Sequence, residues 1–552
     1  MKAAVLKRSF DGSQPSDVRG WVPLASILVV SVTARIVSLL ARPMLIESEG
    51  AYYARVADNF AAGAGWIGMH AWGLQLLYPP LFPLLIAGVH LMGPNVELAA
   101  KLVSLFFGSL IVIPVYLIAR EMYDHRVGQT AALITALHPV LVGASVAVLS
   151  EASYTFFLYA GILCSLLAAR SQYRATALCA GVAFGLAYLI RPEALLLAVV
   201  TAAIVVLYGW KHRSRAMQVA VCQIAAFAIL GAPYVIFLKV RTGQFRLEAK
   251  SSSNFALSRM LLQGMSLNQA NYAIDDTLTP RGLNMRSDLE VILSTKFDFS
   301  TSIRLIRSAA RQNTRQVVYY LLKHGACGGA WLIGLVAMGW FGSAWNQERA
   351  VGEGVLITIL VCLVVPMFSL IFFNSRFVIP FLPLLIIWAA KGVNELANWS
   401  EETAHNLLPG PRCVSRIGLS VSGFAVGGML LIGWVNVQTF PDLHRDDLAL
   451  KTLGLQLKRQ FLGVGKIMDV SPIPAFYAGA VVRNYPYTDS STALRYIAAN
   501  NVDLLVLREK GPELTPYLKE WQTNGVPDPR AELILTLPSQ EYGQIKVYRW
   551  RQ

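Results

Sequence analysis

The chain has 552 residues, of which 55% are hydrophobic and only 15% charged, with a mean hydropathy of +0.48. That balance excludes an ordinary soluble domain and distributes the length over many membrane spans. The formal net charge of +15 sits mostly at the ends of apolar segments, which suits lipid head groups, membrane orientation and phosphate; no nucleic-acid module is present and none is expected as a partner.

In chain order, the polar, mildly basic stretch 1–20 is followed by an apolar run long enough to span a bilayer and too long for a signal-peptide core, so it reads as an anchor. Apolar segments predict spans at 21–42, 98–119, 128–148, 151–169, 174–190, 192–210, 217–239, 327–343, 353–373, 376–393 and 415–437. The fold class is a polytopic α-helical membrane protein of about 11–13 spans. The six cysteines show no CxxC or Cys/His spacing, so neither a disulfide framework nor a zinc site is expected.

Basic residues in short loops set the orientation. Lys2, Lys7 and Arg8 precede the first span, Arg170 and Arg174 join the fourth and fifth, and Lys211, His212, Arg213 and Arg215 follow the sixth. All three clusters face the cytoplasm if "YPPLFPLLIAGVHLMG", residues 78–93, is a partly inserted or re-entrant helix rather than a full span. Three segments then share the outer face: 43–97, 240–326 and the tail after 438. Residues 440–552 read as a small α/β domain on the periplasmic or extracellular side, ending in a hairpin whose turn contains Glu541, Tyr542 and Gly543. This places the protein in a cell membrane, the inner one in a bacterium. No internal repeats appear.

The first outer segment opens with "LIESEGAYYARVADNF", and Glu47 and Glu49 stand where the span hands over to the loop. Tyr52, Tyr53, Val56 and Phe60 recur at helical spacing, predicting a surface helix over 49–61 with Ser48 as its N-cap. Glu49 then either complements the helix dipole or does chemistry. Glu151, at the outer end of the fourth span, presents the same choice between an interfacial residue and a working carboxylate.

Cations gather on the same face: Arg35, Arg191, Arg376, and Lys239, Arg241, Arg246 and Lys250. Outer positive charge runs against the orientation rule, and a phosphate held at the membrane surface accounts for it, because guanidinium groups match phosphate oxygens. The simpler alternative for Arg191 and Arg376 is pairing with Glu193 or another carboxylate.

"ESEGAYY", "YPPLFPLL", "LSEASYTFFL", "LIRPEALLL" and "NSRFVIPFLPLL" occur in that order. Together they resemble the type C glycosyltransferases, in the family 39 branch that includes protein O-mannosyltransferases and lipid A aminoarabinose transferases. The resemblance covers about residues 20 to 400, and the tail resembles the small extracytoplasmic domain of bacterial members. It implies a transferase that takes a sugar from a polyprenyl-phosphate donor to a glycolipid, glycan or protein hydroxyl. Members carry an acidic pair in the first outer loop; Glu49 matches its Glu, while Ser48 stands at the Asp position, leaving Glu47 as a second candidate base. That replacement removes a potential metal ligand, so no essential divalent ion is expected, and no cofactor is expected either. Glu151 matches the second acidic position, and Arg376 an arginine that contacts lipid phosphate. Arg191, Arg35 and Lys250 are read as further phosphate ligands, and Tyr52, Tyr53 and Tyr78 as lining the substrate with Glu47.

A hydroxyl needs a base, whereas a lipid phosphate leaves readily and needs cations rather than a second acid. One carboxylate and several arginines satisfy both demands, and in-line displacement inverts the anomeric carbon. The rival reading is a secondary transporter or flippase, but its charges belong at the midplane rather than near one face. An inactive transferase-like scaffold and a phosphoglycan polymerase or ligase are the remaining readings. The glycine-rich stretch "GAGWIGMHAWGLQLLY" belongs to the acceptor side, with His70 as a loop or surface residue.

Overall fold

The computed structural model describes residues 18–296, 299–366, 374–407, 411–437, 448–461, 463, 465–512 and 514–552. The expected cytoplasmic stretch with Lys2, Lys7 and Arg8, the end of the predicted 353–373 span and the first residues of the predicted 440–552 domain lie outside them.

Among the described residues, six helices are long and apolar enough to cross a membrane: Val22–Leu40, Val96–Met122, Glu151–Ser171, Trp210–Thr242, Ser375–Asn406 and Val414–Asn436. A seventh candidate, the predicted 128–148 span, is bent by 52° between His125–Leu137 and Pro139–Val146. Pro139 has no N–H to continue the ladder and its ring crowds the preceding turn, so the chain turns there. The predicted spans at 174–190, 192–210 and 327–343 form as shorter apolar helices, Arg174–Tyr188, Ala194–Tyr208 and Gly329–Phe341. Residues 78–93 give the 10-residue helix Leu81–His90, too short to cross by itself, in keeping with a partly inserted element.

With no hydrophobic drive between helices in lipid, close approach of backbones holds such bundles together. Gly339 and Gly392 show it: an added Cβ at Gly339 would lie 2.3 Å from the Trp388 carbonyl oxygen. At Gly392 it would lie 1.9 Å from that of Leu335. The described cysteines Cys164, Cys179, Cys222, Cys327 and Cys362 are free.

The tail carries a five-stranded sheet of order β2-β1-β3-β5-β4, with β1 Lys466–Met468, β2 Val481–Arg483, β3 Leu504–Arg508, β4 Ala531–Ser539 and β5 Gly543–Trp550. β1 pairs in parallel with β2 and β3, while β5 pairs antiparallel with β3 and β4 as the predicted hairpin. Gly543 begins β5 at φ +66°, a backbone conformation that glycine adopts without strain. Trp521, Tyr485 and Ile497 fill one core beside the sheet, and Ile274 and Met285 from the 240–326 segment join it.

The sheet and the segments 43–97 and 240–326 are stitched together at one end of the bundle. The Val482 N–H of edge strand β2 donates to the Met69 carbonyl at 3.1 Å, and the Tyr487 N–H donates to that of Tyr272 at 2.7 Å. The Arg55 guanidinium donates to the Phe476 carbonyl at 3.0 Å, and Lys451 pairs with Glu97 at 2.9 Å. The segments 43–97 and 240–326 and the tail after 438 therefore contact one another.

Candidate functional site

The first loop helix runs Ser48–Ala61, and Glu47 rather than Ser48 is its N-cap, with no side-chain capping bond. The expected Ser48 cap is thus corrected. The Glu47 carboxylate is used differently: Oε2 accepts from the Val148 N–H at 2.7 Å. Gly50 packs so closely there that a Cβ would lie 2.8 Å from Val148. The start of this helix is therefore fastened to the strand-like turn that leads into the Glu151–Ser171 helix. Gly50, Ala51, Tyr53, Ala54, Val56 and Ala57 form the buried face, whereas Phe60 is 45% exposed and Tyr52 half-buried, a rotation from the predicted apolar line.

That fastening brings Glu49 and Glu151 to the same cations. The Arg376 guanidinium donates to Glu49 Oε2, and its Nε lies 3.5 Å from Glu151 Oε1. Arg191 Nη1 donates to the same Glu151 oxygen at 3.2 Å. Asn374 accepts from the Arg376 N–H at 3.2 Å. The Tyr159 hydroxyl bridges Pro380 and Leu384, anchoring the 3-10 segment Ser375–Phe381 that carries Arg376. Glu151 is fully buried, and its Oε2 has no hydrogen-bond partner among the described residues. Pairing of Arg191 and Arg376 with carboxylates is thus observed, but with Glu49 and Glu151 rather than with Glu193.

Around this cluster stand the tyrosines. The Tyr53 hydroxyl donates to Glu49 Oε1 at 3.2 Å, and its ring packs on Tyr78 and Phe82 at 4.8 and 5.1 Å. Lys250 Nζ lies 5.9 Å from the centroid of the Tyr78 ring. Burial pushes the Glu49 carboxyl up, but the positive charges of Arg376, Lys250 and Arg191 outweigh it and hold it at about 2. Burial lowers Lys250, with Glu49 opposing.

Two expected site residues are placed elsewhere. Arg35 is fully buried between helices, donating to Ser145 Oγ at 3.0 Å, Ser31 Oγ at 2.8 Å and the Ala136 carbonyl at 2.9 Å. It is a packing residue of the bundle because its span turns it inward, away from Glu49. Glu47, read as lining the substrate, faces Lys101 and Glu97, and burial raises its carboxyl. His70, expected as a loop or surface residue, lies in a turn and is half-buried. Its Nδ1–H donates to the Val482 carbonyl at 3.2 Å, Tyr52 donates to Nε2 at 3.4 Å, and its ring stacks on Trp72 at 4.8 Å. Burial holds it neutral, down to about 4.

An apolar crevice adjoins the cluster, lined by Tyr154, Leu197, Leu363, Pro366, Phe377 and Phe381, with Arg191 and Glu193 at its polar end. The Arg191 guanidinium stands 5.6 Å from the Tyr154 centroid and 6.0 Å from that of Phe377. Tyr154 and Phe377 were not singled out from sequence, although each lies beside a charged residue of a quoted motif. An apolar crevice with the Arg191 guanidinium in its wall matches an amphiphile with an anionic head.

Residues 78–237 match the family model described as dolichyl-phosphate-mannose-protein mannosyltransferase. Glu151 and Arg191 fall inside that match, whereas Glu49 and Arg376 fall outside. No curated protein matches the chain by sequence. Among solved structures, ArnT from Cupriavidus metallidurans, bound to undecaprenyl phosphate, is similar with a TM-score of 0.58 at 14% identity, over 96% of this chain and 98% of that one. The archaeal oligosaccharyltransferase AglB from Archaeoglobus fulgidus, in complex with an inhibitory peptide and a dolichol-phosphate, is similar with a TM-score of 0.55 at 13% identity. That match covers 97% of this chain and 74% of AglB. The chain has the type C glycosyltransferase fold: a multi-pass helical membrane body with a small C-terminal sheet domain.

Proposed function

We propose that the protein is a membrane glycosyltransferase that moves a sugar from a polyprenyl-phosphate donor to an acceptor hydroxyl on the extracytoplasmic face. The observation that carries this reading is the convergence of Glu49 and Glu151 on Arg376 and Arg191, with Arg191 also lining an apolar crevice. The family match and the lipid phosphates named for ArnT and AglB agree with it.

The donor's prenyl chain occupies the bilayer and the crevice, and its phosphate meets Arg376, Arg191 and Lys250. The acceptor oxygen attacks the anomeric carbon as the bond from that carbon to the phosphate oxygen breaks. The electron pair leaves with the polyprenyl phosphate, whose growing charge the cations stabilise. The acceptor proton passes to Glu49, and the anomeric configuration inverts.

A carboxylate held at about 2 by Arg376, Lys250 and Arg191 is a feeble base at neutral pH. The donor resolves this. A phosphate competes with Glu49 for the Arg376 guanidinium, and once Arg376 turns to it, burial raises the freed carboxylate towards a useful basicity. Glu49 is thus masked until the donor is in place. Glu151, with one oxygen on Arg191 and Arg376 and the other without a partner among the described residues, positions both arginines.

Incubation of the reconstituted protein with a radiolabelled polyprenyl-phosphate sugar and a crude membrane acceptor fraction tests the reading. Label appearing on an acceptor, in the inverted anomeric configuration, supports it. Label that only crosses the membrane while still on its lipid identifies a flippase instead.

A further inference from the structure

The Phe299–Val318 helix lies in the 240–326 segment and packs on the Lys250–Leu262 helix. Leu305, Ala309 and Asn313, four residues apart, form its buried line. Beside that line the large apolar side chains of Ile303 and Ile306 are 52% and 51% exposed. Next round the helix come Arg304, Arg307, Arg311 and Arg315, which with Gln312 and Gln316 line one open surface. No Asp or Glu occurs between residues 299 and 347, and none of the four arginines makes an ion pair among the described residues.

After this helix, Val318, Tyr319 and Leu322 are also exposed, and the chain turns directly into the apolar Gly329–Phe341 helix. The arginine-bearing helix is therefore continuous with an element at the membrane. A helix with an apolar flank, a basic flank and a membrane helix at its end has the properties of one lying in the bilayer interface.

We propose that the Phe299–Val318 helix is a docking surface for anionic phospholipid. Ile303 and Ile306 dip towards the acyl chains, while Arg304, Arg307, Arg311 and Arg315 bind head-group phosphates by charge-assisted hydrogen bonds. The four arginines reach one line of phosphates because spacings of three and four residues keep them on one side of the helix. This surface is separate from the Glu49 cluster and does not depend on the transferase reading.

The test uses the full chain in nanodiscs, with spin-labelled phosphatidylglycerol or phosphatidylcholine as the probe and the motionally restricted lipid fraction as the readout. The parent should prefer phosphatidylglycerol. Replacing all four arginines by Gln should lower that preference by at least about threefold, and raised salt should do the same to the parent. R213Q/R215Q, at the opposite end of the bundle, should leave the difference between parent and quadruple variant intact. An undiminished preference in the quadruple variant overturns the proposal.

A second measurement is independent of how that variant folds. A nitroxide on a single cysteine at Ile306, in an otherwise cysteine-free chain, should be reached by dissolved oxygen and shielded from a water-soluble nickel complex. The opposite pattern places the helix in water and overturns the proposal. Displacement of the restricted phosphatidylglycerol by millimolar inorganic phosphate, without a salt effect of equal size, makes the stripe a site for free phosphate and overturns it too.

Discussion

The Arg376 guanidinium donates to the Glu49 carboxylate across 327 residues of sequence, joining the first loop to the 3-10 segment Ser375–Phe381. The same guanidinium approaches Glu151, so one arginine sees both carboxylates. An arginine so placed can exchange a carboxylate for a phosphate without leaving its pocket.

Arg376→Ala and Arg191→Ala should each weaken binding of a polyprenyl-phosphate ligand about 10- to 100-fold, the loss of a charge-assisted contact worth roughly 1.5–3 kcal/mol. Isothermal titration in detergent, with circular dichroism to verify the fold, measures this. Parent-like affinity in both variants makes the arginines structural partners of Glu49 and Glu151 and nothing more.

The sidedness proposed here is checked by labelling. Arg213 opens the Arg213–Thr242 helix and Ser490 opens Ser490–Ala499 in the sheet domain, so the two should lie on opposite sides of the membrane. Single cysteines at these positions, in a chain lacking the native six, are exposed to an impermeant maleimide in intact cells. Only the Ser490 position should react. Reaction at Arg213 alone moves the site to the cytoplasmic face, and reaction at both positions overturns the span count.

The hand-over of Arg376 has a pH signature. Glu49 is depressed to about 2 in the resting protein, so it stays ionised throughout the usual assay range, and kcat/KM for the donor should show no acid limb from it. With donor bound, the counter-charge moves to phosphate and burial dominates, so kcat should fall on the acid side with a midpoint above the ordinary carboxylate value of about 4.5. The linkage to folding has the depressed-carboxylate sign: the stability the pair confers is present above the unfolded value and fades as pH falls towards 2. Coincident acid limbs in kcat and kcat/KM would mean that donor binding does not unmask Glu49.

Much of this was legible because it is local. Apolar runs announce helices, the prolines before Leu84 announce a break, and β-rich segments around a short turn announce the β4–β5 hairpin, whereas the bend at Pro139 falls inside a span predicted as continuous. Glu49, Glu151, Arg191 and Arg376 stood out as charges beside apolar runs. What sequence cannot give is rotation about a helix axis and contact over long separations. Arg35 has the same flanking pattern as the others, yet its helix turns it onto Ser145 and Ala136. His70 is a loop residue as expected, but its contact with β2, 412 residues away, is invisible in the sequence. Glu47 is the extended N-cap and Glu49 lies in the first helical turn, and that change of backbone sends one to Val148 and the other to Arg376.

That divergence gives the sharpest test of the site. Glu49→Gln preserves the shape at the start of the Ser48–Ala61 helix but cannot take a proton, so turnover should fall at least about 100-fold. Donor affinity should hold or rise, because Arg376 is then freer to meet phosphate. Glu47→Gln keeps an oxygen to accept from the Val148 N–H and loses only its charge beside Lys101. It should cost some thermal stability and leave turnover within about tenfold of the parent, through loosening of the helix start rather than loss of a base. Steady-state transfer of label, run beside a donor-binding assay, separates the two. A dead Glu47→Gln with an active Glu49→Gln assigns the base to the wrong glutamate. Full activity in both moves the base to another group, and Glu151→Gln is then the variant to make.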